Sequence, residues 1–144
     1  MARLAVGSSN ISNAGARAKT RKASLIDGTR IRQLLQQGTD SIGASIGELG
    51  YRQEMDMYST RMSGSDAIEA ALTHNLDNDL NSVLGFCQGN LRDLVAIYVE
   101  RFQYEKVKTV LRSVSKGASD EMIADQILPE ENPSNAHWLH IVRT

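Results

Sequence analysis

LRDLVAIYVERFQYEKVKTVLR, Leu91–Arg112, is helical in pattern and well supplied with apolar residues, yet it holds no evident catalytic group. At about 100° per residue, Leu91, Leu94, Val95, Tyr98 and Phe102 fall on one face, the spacing of a buried stripe. From Val107 onward the apolar set is Val107, Val110, Leu111 and Val114, and its centre has moved by roughly 120° around the axis. One straight helix cannot bury both faces equally. The pattern therefore predicts a kink or break near Gln103 and Tyr104, with Glu105 in the first turn of a second helix, where a negative charge suits the dipole.

Outward from this stretch, helical signals recur and none keeps a clean two-residue alternation, so the fold class is all-α, a bundle of short and medium helices. A first helix is expected over Gly15–Ile26. A second follows Thr29 as N-cap, turns Ile31, Leu34 and Leu35 inward and stops at Gly38. Thr39 can cap a third, with Ile42, Ile46 and Leu49 at helical spacing and Gly43 and Gly47 weakening it. Tyr51–Tyr58 is a further short turn or helix. After Ser65 comes the longest clean pattern, Ile68, Leu72, Leu76, Leu80, Val83 and Leu84, which ends at Gly85–Gly89. Asn90 is the expected cap of the Leu91–Arg112 element and Gly117 its stop. A last short helix starts at Ser119, Asp120 and Glu121, carries Met122, Ile123, Ile127 and Leu128, and is terminated by PEENP. The expected core is Leu72, Leu76 and Leu80 on the long helix, with Leu94, Tyr98 and Phe102 on the next.

The chain has 144 residues, 41% hydrophobic and 23% charged, which is enough for one globular domain with a real core. Its one cysteine, Cys87, allows no intramolecular disulfide, and a reduced, buried thiol is the default reading. No apolar run approaches the ~18 residues of a membrane span, and MARLAV is too short for a secretory core. The net charge of −1 conceals an asymmetry: residues 1–37 carry seven Lys/Arg against one acid, and residues 38–144 carry nine against sixteen. Arg17, Lys19, Arg21 and Lys22 are the candidate partner contacts of the basic end, facing nucleic acid, anionic lipid or an acidic protein. A solvated helix face that the acidic remainder neutralises is the plainer reading. The basic, serine-containing start also resembles an organellar transit peptide, but it runs directly into a patterned helix. Without interleaved aromatics, single-strand nucleic-acid stacking is unsupported.

Candidate chemistry fails on inspection. DNDLNSVLGFCQ, from Asp77, places Asp77, Asp79 and Asn81 at alternating positions like a calcium loop, but Ser82 stands where the loop needs glycine and Gln88 where it needs glutamate. The leucines carry the helix period straight through it. His137 and His140, three apart, lack a neighbouring Cys or carboxylate ligand, and His74 is alone. GASIGELG contains no phosphate-cradling motif, and its glycines sit in a helical pattern. Cys87 and the histidines show no signature of a nucleophilic pair. The expected catalytic, cofactor and metal sites are none.

Three blocks in order nevertheless resemble the C subunit of archaeal-type (A/V-type) ATP synthases, the relative of the V-ATPase d subunit. They are GARAKTRKASLID (residues 15–27, with Arg17, Lys22, Leu25 and Asp27 at matching positions), AIEAALTHNLDNDLNSVLGFCQGNLRDLV (67–95) and IYVERFQYEKVKTVLR (97–112). IRQLLQQGTDSIGASIGELGYRQEM keeps the family's order of short helix, glycine, short helix and tyrosine. Gly15 stands where the family usually has asparagine, and residues 132–144 look unfamiliar. Family members are roughly three times a domain of this size, built from three related helical units, and this chain resembles the first. The expected organisation is an N-terminal extension over 1–12, a single helical domain over 13–131 and a divergent tail over 132–144.

The resemblance implies one unit of a funnel-shaped helical protein, a non-catalytic socket that couples the membrane rotor ring to the central shaft in proton or sodium transport. It implies the c/K-type ring proteins and the D and F subunits of the central stalk as partners, a peripheral place on the cytoplasmic face of the membrane, and no small-molecule substrate. In the family the third block is a helix that breaks after an aromatic and resumes. The alternative is a truncated or divergent single-unit helical adaptor with a nucleic-acid or anionic partner at its basic N-terminal region. Salt dependence discriminates the two, because phosphate contacts weaken steeply with salt.

Overall fold

The computed structural model describes residues 9–126 together with Trp138, His140 and Ile141. The readings placed on Ile127, Leu128, the PEENP stop, His137, most of the N-terminal extension and most of the 132–144 tail lie outside the described residues. The fold is all-α, with no strand among the described residues. Its elements are α1 (Ile11–Ala23), α2 (Gly28–Leu34), α3 (Thr39–Ile46), a π-helical turn (Gly47–Tyr51), α4 (Arg52–Ser59), α5 (Gly64–Phe86), α6 (Asn90–Ser115) and α7 (Asp120–Gln126). Packing divides the chain into two compact units, one formed by Ser12–Val83 and the other by Met1–Ile11 with Leu84–Thr144.

The helix starts differ in detail from the sequence pattern. α2 is capped by Asp27 and not by Thr29: Asp27 Oδ1 accepts from the Thr29 and Arg30 amides, each at 2.8 Å. A carboxylate satisfies two of the orphan amides of a helix start, and its charge suits the dipole. Gly38, without a side-chain cap, precedes α3. Gly89, at φ 56°, precedes α6, so Asn90 is already helical. Ser119 does serve α7, its Oγ accepting from the Met122 amide at 3.4 Å.

In the Ser12–Val83 unit the buried line of α5 is Ala67, Ala70, Ala71, His74 and Asp77. This corrects the leucine stripe expected as core. Leu72 and Leu80 are only half-buried and Leu76 is 42% exposed, because Leu72, Leu76 and Leu80 stand about 180° around the helix from the alanines. Small side chains let neighbouring backbones approach closely, so the alanine face is the one that is sealed. Gly43 of α3 extends the same device: a methyl placed there would lie 3.2 Å from Met55 Cε and 3.9 Å from Ile68 Cγ1. Ala14, Ile46, Met55 and Tyr58 are the other buried hydrophobic residues described in this unit.

In the second unit α6 is one unbroken helix of 26 residues, about 39 Å long at 1.5 Å per residue. The kink expected near Gln103 is absent, because the structure never buries both apolar faces. The apolar residues Leu91, Val95, Val99, Phe102, Val107 and Val110 are buried or half-buried, and together with the half-buried Ala96, Gln103 and Lys106 they keep to one arc of about 160° along the whole helix. Leu94 and Tyr98, expected in the core, point away from it and are exposed, Leu94 at 67%. Phe102 lies at the border, half-buried. Val110 packs with Ile123 of α7, Ala118 and Trp138, and Trp138 Nε1 donates to Gln103 Oε1 at 3.1 Å. Asn10 ties the start of the chain to this unit, donating to the Phe86 carbonyl at 2.8 Å and accepting from the Gln88 amide at 3.0 Å.

Gly50, at φ 109°, turns the π-helical segment into α4. A side chain there is strained, so Gly50→Ala is expected to lower stability by about 1 kcal/mol or more. Gly43→Ala, where only a flexible methionine tip must yield, should change it much less. Urea unfolding midpoints of the two variants test the contrast.

Candidate functional site

The four basic residues expected to form a partner contact do not act as one patch. On α1, Arg17 and Arg21 share one face and Lys19 and Lys22 another, by their spacings of four and three. Arg21 is drawn into the protein: its guanidinium forms an ion pair with Asp79 of α5 and donates to Ser82 Oγ at 2.7 Å. Both partners of the ion pair are more than a third exposed, so the pair orients α1 on α5 more than it stabilises it. Arg17 is also engaged, whereas Lys19 and Lys22 are exposed or half-exposed.

Beside the Arg21 cluster, burial pushes the Tyr51 phenol above its ordinary value, and the carboxylates of Asp79 and Glu54 add to the effect. Glu54 Oε1 accepts from Asn75 Nδ2 at 2.9 Å. Deeper in the same unit, Tyr58 Oη and His74 Nδ1 lie 2.7 Å apart, with the rings edge to face. Tyr58 is 1% exposed and His74 6%, so this is a sealed hydrogen bond between α4 and α5 with no route for a substrate. Asp77 is buried and partnered, and Asp79 is paired to Arg21. Residues two apart on a helix point roughly 200° apart, so the carboxylates of the calcium-like run do not converge.

No cluster of three metal-ligating side chains occurs among the described residues. His140 is exposed and partnered, and Cys87 is buried. A cleft of about 340 Å³ lies among Thr39, Gly43, Met55, Asp56, Ser59, Ser63 and Ala67, where the Ser59 hydroxyl donates to the Asp56 backbone carbonyl and not to its carboxylate. Among the described residues no helix is long and apolar enough to cross a membrane.

The surface with most to offer a partner is the outer face of α6. Leu94, Ile97, Tyr98 and Tyr104 are all more than half exposed, and Arg101 lies among them within about 120° of arc. The Arg101 guanidinium sits 5.6 Å from the ring centres of both Tyr98 and Phe102, and those rings meet edge to face at 5.9 Å. One turn further, Glu105 accepts from Lys108 Nζ at 2.7 Å, which holds its carboxyl below the ordinary range. The sequence pattern assigns Leu94 and Tyr98 to the core because a strong apolar stripe reads the same whether a neighbour covers it or not.

Residues 14–144 match the family of the ATP synthase (C/AC39) subunit. The chain belongs to this family. Its relatives include the A-type ATP synthase C subunit of Haloferax volcanii, 34% identical over 122 residues, which are 85% of this chain and 35% of that protein. The protein of the same name in Methanosarcina acetivorans is 33% identical over 122 residues, 85% of this chain and 34% of the relative. That of Methanococcoides burtonii is 31% identical over 121 residues, covering 84% and 34%. The chain thus spans about a third of the length of the curated relatives it matches. No solved structure matches it. The C/AC39 match runs through residues 132–144, the stretch that looks unfamiliar in the sequence.

Two measurements probe the site. Tyr58→Phe leaves His74 Nδ1 without its partner and is expected to lower stability by about 1–3 kcal/mol; an unchanged denaturation midpoint would mean that the buried pair contributes nothing. For Tyr51 the sign is set by a folded pKa above the unfolded value of 10.0. Its stabilising contribution is complete below that value and is lost as pH rises through it toward the folded pKa. Tyr51→Phe should therefore shrink the late phenolate absorbance in an alkaline titration and soften the loss of stability there.

Proposed function

We propose that this chain is a non-catalytic coupling element of an A/V-type ATP synthase, part of the socket between the membrane rotor ring and the central shaft. The observation that carries the reading is membership of the C/AC39 family along residues 14–144. A coupling part has to transmit torque through stiff contacts, and close-packed helices with confined side chains resist deformation. The sealed alanine face of α5 and the unbroken α6 are of that kind. The outer face of α6, with Leu94, Ile97, Tyr98 and Tyr104, is the contact surface: tyrosines, an arginine and apolar residues are the composition enriched in interface centres.

In this reading the partners are the c/K-type ring proteins and the D and F subunits of the central stalk, the ion carried is a proton or sodium, and the place of action is peripheral, on the cytoplasmic face of the membrane. ATP is made or hydrolysed elsewhere in the complex, and this chain takes no small-molecule substrate. The adaptor reading, with a nucleic-acid partner at the basic end, loses ground because Arg21 is committed to Asp79 and Ser82.

A tagged chain purified from gently solubilised membranes should bring down rotor-ring and central-stalk proteins, identified by mass spectrometry. Leu94→Asp with Tyr98→Asp, both at exposed positions, should fold as the parent does and recover at least about tenfold less of them, since removing such an anchor is worth more than about 1.4 kcal/mol. A folded parent that brings down none of these proteins contradicts the proposal.

A further inference from the structure

α2 carries an apolar ridge that nothing among the described residues covers. Ile31 and Leu35 stand one turn apart and are 47% and 75% exposed, while Leu34, on another face, is half-buried. Arg30 and Arg32 flank Ile31 at about 100° to either side. Their hydrogen bonds go to neutral groups, from Arg30 to Gln33 Oε1 and from Arg32 to Thr29 Oγ1, and neither forms an ion pair among the described residues. Leu25, also more than half exposed, precedes this helix in the turn that leaves α1, and Lys22 is exposed at the end of α1. Asp27 is the sole acid between Gly15 and Gln37, and its carboxylate is occupied with capping α2. Arg30 and Glu48 both line a cleft beside α2 that does not include Ile31, Arg32 or Leu35.

We infer that α2 and the Leu25 turn form a docking ridge for an anionic lipid surface. Leu25, Ile31 and Leu35 enter the boundary between headgroups and acyl chains, and Lys22, Arg30 and Arg32 meet lipid phosphates. An apolar strip flanked by cations is the composition of elements that lie in the interfacial plane, and each Lys or Arg near an anionic surface raises partitioning about fivefold. Shape separates this occupant from an acidic polypeptide. A polypeptide needs a lined groove to bury enough area for a stable contact, and the cleft beside α2, lined by Arg30, Gln33, Gln37, Ser45 and Glu48 with two leucines, takes in neither Ile31 nor Leu35. A convex ridge suits a deformable interface.

The inference stands apart from the coupling role, since an assay with vesicles contains no ring or stalk protein and can fail while co-purification succeeds. The test is flotation of the full chain with vesicles of phosphatidylcholine alone and of phosphatidylcholine with an equal part of phosphatidylglycerol, at low and high salt. Flotation with the anionic vesicles alone is expected, and it should weaken with salt. Arg30→Gln with Arg32→Gln should reduce partitioning about thirtyfold. Ile31→Ser with Leu35→Ser should reduce it at low salt as well. All four side chains are exposed, so circular dichroism should match the parent. A chain that does not float with anionic vesicles, floats equally with neutral ones, or is unaffected by both double variants overturns the inference. Capture of poly-glutamate by Arg30 and Arg32 without vesicle binding overturns it in favour of an acidic polypeptide.

Discussion

The alanine face of α5 is the constraint on which the Ser12–Val83 unit depends. Ala67, Ala70 and Ala71 are sealed, so the elements that cover them have little freedom of position. One turn further along, the same face carries His74, whose ring must find a polar partner once buried. Tyr58 of α4 supplies it at 2.7 Å, which fixes α4 on α5. Gly43, in van der Waals reach of Met55 and Ile68, brings α3 against both helices. The π-helical turn and Gly50 follow from these placements, because the chain must bend sharply between α3 and α4 to reach the same helix twice.

α6 shows what happens when two apolar faces compete for one partner. Its half-buried stripe from Leu91 to Val110 is less apolar than the opposite face, since Gln103 and Lys106 also lie on it. It is the buried one because α7, Ala118 and Trp138 cover its C-terminal half. The louder face, with Leu94, Ile97, Tyr98 and Tyr104, is left outside. Exposed apolar surface of that kind is a liability in a solitary protein and an asset in a component of an assembly. In a coupling element it is where force would enter or leave.

Much of the fold is legible in the sequence. The all-α class, the loops after Tyr58 and Phe86, and the start of α7 at Ser119 all follow from period, glycine and capping chemistry. What is not legible is which of two apolar faces on a helix is covered, because periodicity reports that a face exists and says nothing of its neighbour. Periodicity places Leu76, Leu94 and Tyr98 inside for this reason, and it passes over Ala67, Ala70 and Ala71 because alanine carries little hydrophobic signal. The kink expected in α6 has the same origin: the phase shift is read from exposed and covered residues together, and the covered set keeps to one arc. Among the four basic residues, the ion pair of Arg21 with Asp79 joins positions far apart in sequence, and no local pattern announces it.

The central claim is that the outer face of α6 is a contact surface within a rotary ATP synthase. It is tested most directly by placing a photo-crosslinking amino acid at Leu94 or Ile97 in cells that make the complex, with an exposed control position at Gln53 of α4. The account predicts light-dependent adducts from Leu94 and Ile97 to other proteins of that ATP synthase, and none from Gln53. Equal adducts from all three positions, or adducts only to unrelated proteins, would contradict it.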